Sequence, residues 1–143
     1  MKILLIEDDD QMRRALVDRL AAENVETVYN AGDFGGALNF IHDVDGVLCD
    51  DAFPFVEGEP PFEWAWLGMR DAARALEKPF VLIAGDSETW LEASHQDVQA
   101  YRKKYTADAV AHLVRTVSKD MPGAPASVLA SGDFALGGTD SSR

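Results

Sequence analysis

Lys2-Ile3-Leu4-Leu5-Ile6-Glu7-Asp8-Asp9 opens the chain with an unbroken apolar run that stops abruptly at acids. Five residues are too few for a helix core, and nothing alternates. The run therefore reads as a strand buried on both faces, the signature of a parallel sheet. Asp9 or Asp10 is then placed to cap a following helix, with Met12, Leu16 and Leu20 recurring every four residues on one side. The same alternation continues outward. Val25–Tyr29 predicts a second strand. Asp33 predicts the cap of a short helix carrying Ala37, Leu38, Phe40 and Ile41, weakened by Gly35 and Gly36. Gly46–Cys49 predicts a third strand ending at Asp50.

Phe53 to Pro61 holds three prolines and a glycine and reads as a loop. A helix is expected from about Phe62, on the spacing of Phe62, Trp66, Met69, Ala73 and Leu76. Pro79–Ala84 predicts a fourth strand, Ser87–Ser94 a helix, Val98–Lys103 a fifth strand, and Thr106–Lys119 an amphipathic helix. From Met121 periodicity is lost, and residues 121–143 read as a flexible tail. Strand and helix thus alternate five times. The expected class is α/β: a five-stranded parallel sheet, doubly wound by helices on both faces.

Composition narrows the function. The chain has 143 residues, 13 basic and 25 acidic, for a formal net charge of −12. That disfavours direct nucleic-acid binding, which needs a basic face, and disfavours an anionic membrane surface for the same reason. No apolar run approaches the length of a membrane span. The single cysteine, Cys49, cannot form an internal disulfide, so a cytoplasmic location is expected. Cys49 itself reads as an inert strand residue. His42, His95 and His112 lack metal-ligand spacing.

In open parallel sheets the chemistry lies at the carboxyl ends of the strands. Glu7 and Asp8 end the first strand and Asp50 the third. If these strands are neighbours, three carboxylates converge, and such a set needs a cation or a raised pKa. All-oxygen ligands suit Mg²⁺. Lys103 and Lys104, ending the fifth strand, bring an ammonium to the same edge. A carboxylate nucleophile, a hard cation and a lysine together suit phosphoryl transfer. Asp51 is expected to point away from this site or to be solvated.

This pattern resembles the receiver domain of two-component response regulators. Lys2–Asp9 looks like that family's first strand and acidic pair. Met12-Arg13 falls where helix 1 of some members has similar residues. Val47–Pro54 looks like the phosphoacceptor strand, with proline four residues after the aspartate. Pro79–Gly85 looks like the fourth strand, and Tyr101-Arg102-Lys103-Lys104 like the aromatic-x-x-Lys of the fifth. The resemblance implies a flavodoxin-like (βα)5 receiver fold over residues 1–120, with strand order 2-1-3-4-5. It implies Asp50 as phosphoacceptor. It implies a Mg²⁺ (or Mn²⁺) site at Glu7, Asp8, Asp50 and the Ala52 backbone carbonyl. Lys104, selected over Lys103 by its spacing from Tyr101, would contact the phosphoryl group. Tyr101 would be the switch aromatic, and Ala52 and Asp86 would tune dephosphorylation. The implied phosphodonor is a histidine kinase or phosphotransfer protein, and the implied output is contact with a downstream protein. The chain would be a stand-alone signalling module rather than an enzyme.

Three departures stand out. Ala84 occupies the place of the family's Thr or Ser; Ser87 is the nearest substitute hydroxyl. Tyr105 replaces a proline after the lysine, so a trans Lys104–Tyr105 bond is expected. The interval from Asp50 to Ala84 is 34 residues, a few longer than usual. Its loop aromatics are expected either to pack on Trp64 or Trp66 or to form a lid or partner surface. Trp64 and Trp66, two apart, cannot share one helix face. The first two departures admit an alternative, a phosphorylation-independent pseudo-receiver. A third reading, an aspartate-nucleophile phosphohydrolase, lacks the Asp-x-Asp such enzymes want and room for a cap domain.

Overall fold

A computed structural model describes residues 1–120; the tail predicted for 121–143 lies outside the described residues. Five strands form one parallel sheet: β1 (Lys2–Ile6), β2 (Thr27–Ala31), β3 (Gly46–Asp50), β4 (Phe80–Ala84) and β5 (Gln99–Arg102). Their order is β2-β1-β3-β4-β5, as expected. Five helices connect or follow them: α1 (Asp10–Ala22), α2 (Phe34–Phe40), α3 (Ala65–Ala75), α4 (Ser87–His95) and α5 (Thr106–Asp120).

Strand periodicity splits the core in two. On β1, Leu4 and Ile6 face one side with Val47, Cys49 and Leu82, against α2, α3 and α4. Ile3 and Leu5 face the other with Leu48, Val81 and Ile83, against α1 and α5. Burial on both faces is why β1 and β3 are continuously apolar.

Two strand starts differ from the sequence expectation for one reason. Asn24, Glu77 and Asp97 take positive φ (65°, 55° and 57°) just past α1, α3 and α4. The next N–H then reaches back to a carbonyl of the final turn: Val25 to Leu20, Lys78 to Ala73, Val98 to Ala93. This left-handed helix stop satisfies orphan carbonyls and folds the following residue onto the core. Val25 and Val98 are therefore buried anchors of helix ends, and β2 and β5 begin later, at Thr27 and Gln99.

The loop after β3 also departs. The Phe62 N–H donates to the Phe53 carbonyl at 3.0 Å, closing the loop with a two-residue bridge. That extended geometry keeps Phe62 out of the helix, and α3 starts at Ala65. Phe53 and Trp66 are fully buried in the same core cluster, with Trp64 half-buried beside them. Phe55 instead remains exposed, touching Phe34 and Phe62 at ring-centroid distances of 5.4 and 4.8 Å. The loop also caps α2: the Phe34 and Gly35 N–H groups donate to the Pro54 and Phe55 carbonyls.

Asp33 completes that cap by accepting from the Gly36 N–H at 2.6 Å. α2 spans seven residues and holds two glycines, so it depends on its cap more than a long helix would. Asp33→Ala should cost about 1 kcal/mol of folding free energy. A denaturant midpoint unchanged from wild type would show that the loop carbonyls alone hold the helix start.

Candidate functional site

β1 and β3 lie side by side, with Ile6 level with Cys49. The residues that follow, Glu7 and Asp8 on one strand and Asp50 on the other, therefore emerge at one carboxyl-terminal edge. A carboxylate oxygen from each lies within 4.8 Å of the other two. Glu7 and Asp50 are buried, at 1% and 5% exposure, while Asp8 is exposed. Glu7 Oε2 accepts from the Asp9 N–H at 3.2 Å, but Glu7 Oε1 is buried with no hydrogen-bond partner among the described residues. Arg13 does not relieve it: its guanidinium goes to the Glu7 backbone carbonyl, 3.0 Å, and to Asp10.

Two buried carboxylates so close repel each other. Burial first, and then the Glu7 charge, push the Asp50 carboxyl from 3.8 up to about 8. Glu7 is likewise raised, chiefly by burial. Cys49, fully buried beside them, has its thiol pushed up by burial and then by Asp50, which fits an inert strand residue.

The lysine at this edge is Lys103, not Lys104. Lys103 Nζ lies 3.6 Å from Asp50 Oδ1, whereas Lys104 Nζ sits over the Tyr105 ring, 5.2 Å from its centroid. β5 pairs only as far as Arg102, opposite Ala84, and the chain then tightens into a 3₁₀ turn over Lys103–Tyr105. That turn directs the first lysine inward and the second outward. Burial alone would lower the Lys103 pKa, but Asp50, Glu7 and Asp51 together raise it. Every described peptide bond is trans, Lys104–Tyr105 included.

Asp51 is not a free surface acid. Its Oδ2 accepts from the Gly85 N–H at 2.6 Å and ties the end of β3 to the residue after β4. Its own N–H donates to Asp50 Oδ1 at 2.9 Å, orienting the central carboxylate. Ala52 follows, half-buried. Ala84 is fully buried and offers no hydroxyl. Ser87 does not replace it, since its Oγ accepts from Arg102 at 2.8 Å on the exposed side. Asp86 caps α4, its Oδ1 2.7 Å from the Thr89 N–H, and hydrogen bonds from Thr89 hold its pKa low. Tyr101 is half-buried, its hydroxyl 3.1 Å from His112 Nδ1. Sequence reasoning passed over His112 because it was tested for metal spacing alone. Its signal was its place three residues after Ala109, on the face of α5 that packs on the sheet.

Several solved structures are similar in fold to this chain. A response regulator receiver domain protein from Clostridium thermocellum has TM-score 0.63 and 18% identity, covering 81% of this chain and 92% of its own. The chain has the fold of a response-regulator receiver domain. The BeF3-activated conformation of SdrG from Pseudomonas melonis Fr1 has TM-score 0.58 and 25% identity, covering 79% and 92%. A de novo designed Rossmann 2x3 protein has TM-score 0.62 and 12% identity, covering 87% and 92%. The likeness extends to a designed Rossmann protein, so it shows the fold alone, and the chemistry rests on the residues of the site. No protein-family model matches the sequence, and the comparison with curated proteins finds no relative. Among the described residues no helix of this receiver fold is long and apolar enough to cross a membrane.

Proposed function

We propose that this chain is a response-regulator receiver that accepts a phosphoryl group on Asp50, from a phosphohistidine of a histidine kinase or phosphotransfer protein. It signals by contact with a downstream protein. The observation that carries the reading is the set of three carboxylates at one strand edge, with Glu7 Oε1 buried and unpartnered and Lys103 beside Asp50.

The donor set fits a hard divalent cation. It is all oxygen, one member is exposed to admit the ion, and the buried pair is unstable without added positive charge. Glu7, Asp8, Asp50 and the Ala52 carbonyl would hold Mg²⁺ or Mn²⁺. Once bound, the ion supplies positive charge for the phosphoryl oxygens and for the acids around them. The rest falls to the protein. Lys103 and the Asp51 N–H work against the upward push on the Asp50 carboxyl and so favour its ionised form, and the N–H orients it. One Asp50 oxygen bonds to phosphorus as the phosphorus–nitrogen bond breaks, and the imidazole leaves with that electron pair. Lys103 then pairs with a phosphoryl oxygen.

Incubation with acetyl phosphate and Mg²⁺ should give a phosphoryl adduct on Asp50 by intact-mass and peptide analysis, absent with a chelator. One observation favours the phosphorylation-independent alternative: the fully buried Ala84, which leaves the phosphoryl group without a hydroxyl partner. No adduct, together with no beryllofluoride complex in Mg²⁺, would select that alternative.

Ala84 also bears on switching. A missing hydrogen bond to a charged group is worth about 1.5–3 kcal/mol. Ala84→Thr should therefore enlarge the beryllofluoride-induced shift of the Tyr101 amide, at a packing cost of about 1–3 kcal/mol in stability. An equal shift in both proteins would show that Tyr101 responds by another route, His112 being the nearest.

A further inference from the structure

The end of the sheet opposite Asp50 holds a second concavity. The starts of β4 and β5 border a cleft of about 440 Å³. Arg70 and Arg74 of α3, Lys78 of the following turn, Phe80, Gln99 and Thr116 of α5 line it. Three bases gathered in one cleft stand out in a chain whose net charge is −12.

Their charges are poorly matched inside the protein. The Arg74 side chain makes no ion pair or hydrogen bond among the described residues. Lys78 Nζ donates to the backbone carbonyl of Val44 at 2.6 Å, and meets no carboxylate. Arg70 alone is paired, with its neighbour Asp71 at 2.9 Å and with Gln96 at 2.6 Å. Glu77 and Asp97 also border the cleft, yet neither forms an ion pair with these bases. Arg70 and Arg74 stand four apart on one helix, a like-charge spacing that disfavours the helix unless an anion sits between them. Among the described residues the half-buried Gln99 side chain has no hydrogen-bond partner, and Thr116 Oγ1 donates only to the His112 carbonyl. Phe80 and its neighbours give an apolar wall.

We propose that this cleft binds a small organic phosphate. A phosphate carries close to two charges and suits the forked donors of arginine. The volume is that of a small-molecule site, and the phosphate's organic body would lie against Phe80 and Gln99. The net charge of the chain argues against a polyanionic nucleic acid here. The site is independent of Asp50 chemistry, being at the other end of the strands.

The test is a titration of the full chain, followed by ¹H–¹⁵N spectra in Mg²⁺-free buffer. Adenosine 5′-monophosphate, ribose 5-phosphate and inorganic phosphate are the probes. The nucleotide should move the Gln99 and Thr116 amides, bind more tightly than inorganic phosphate, and weaken with salt. Arg74→Gln, on an exposed position, should leave the spectrum otherwise intact and weaken binding about tenfold, as loss of one charge-assisted bond implies. Arg74→Lys should recover part of that loss. Absence of shifts, shifts confined to the Asp50 edge, equal affinity for all three probes, or binding indifferent to Arg74 would each overturn the proposal.

Discussion

Asp50→Asn should abolish the phosphoryl adduct while making the metal-free protein more stable at pH 8. The two effects share a cause. In the folded chain the Asp50 carboxyl holds its proton up to about 8, against 3.8 for an ordinary aspartate. Between those values the folded state binds more protons than the unfolded state, so stability falls as pH rises through that window. The contribution is fully present below 3.8 and lost above about 8. Asparagine keeps the shape without the charge. The gain at pH 8 should be on the order of 2 kcal/mol, less than the full titration shift because Glu7 relaxes too. Below pH 4 the two proteins should melt together. Mg²⁺ should stabilise wild type, by about 2.7 kcal/mol at a concentration 100 times its dissociation constant, and should do little for the variant. Equal melting curves across pH would mean that Glu7 and Asp50 do not repel as their burial implies. An adduct on the variant would move the acceptor elsewhere.

Lys103→Met should slow adduct formation about 100- to 1,000-fold, the range for removing one preorganised donor from a developing anion. Lys104→Met should leave it unchanged. The contrast follows from placement alone: 3.6 Å from Asp50 for one ammonium, a ring contact with Tyr105 for the other. Lys103 is one of the charges that hold the Asp50 pKa down, so its loss should also raise the pH needed for reaction. The reverse pattern, with Lys104 essential and Lys103 dispensable, would restore the lysine that the aromatic spacing selects.

Much of the molecule was legible from the chain. Continuous apolar runs ending in acids identified β1 and β3, because only strands covered on both faces can be apolar throughout. The helical spacing of Met12, Leu16 and Leu20 and the amphipathic pattern over Thr106–Lys119 identified α1 and α5. The cap at Asp33 followed from its chemistry. Boundaries were less legible. Val25 and Val98 are β-branched and apolar and read as strand, yet they close helix ends, because Asn24 and Asp97 adopt a left-handed backbone that these residue types tolerate but do not by themselves announce. Phe62 fits the helical spacing of α3, but its N–H is taken by Phe53.

By itself, the sequence determined the α/β class and put Glu7, Asp8 and Asp50 at strand ends on one edge of the sheet; their convergence waited on β1 and β3 being neighbours, which the structure shows. Only the tertiary structure decided which lysine meets Asp50, that Asp51 ties β3 to Gly85, and that His112 holds the Tyr101 hydroxyl. Each of these depends on where a short turn directs a side chain, or on two helices and strands meeting across the sheet. A one-residue difference in where β5 ends swaps Lys103 for Lys104, and local spacing carries no record of that end, which is set by pairing with Ala84.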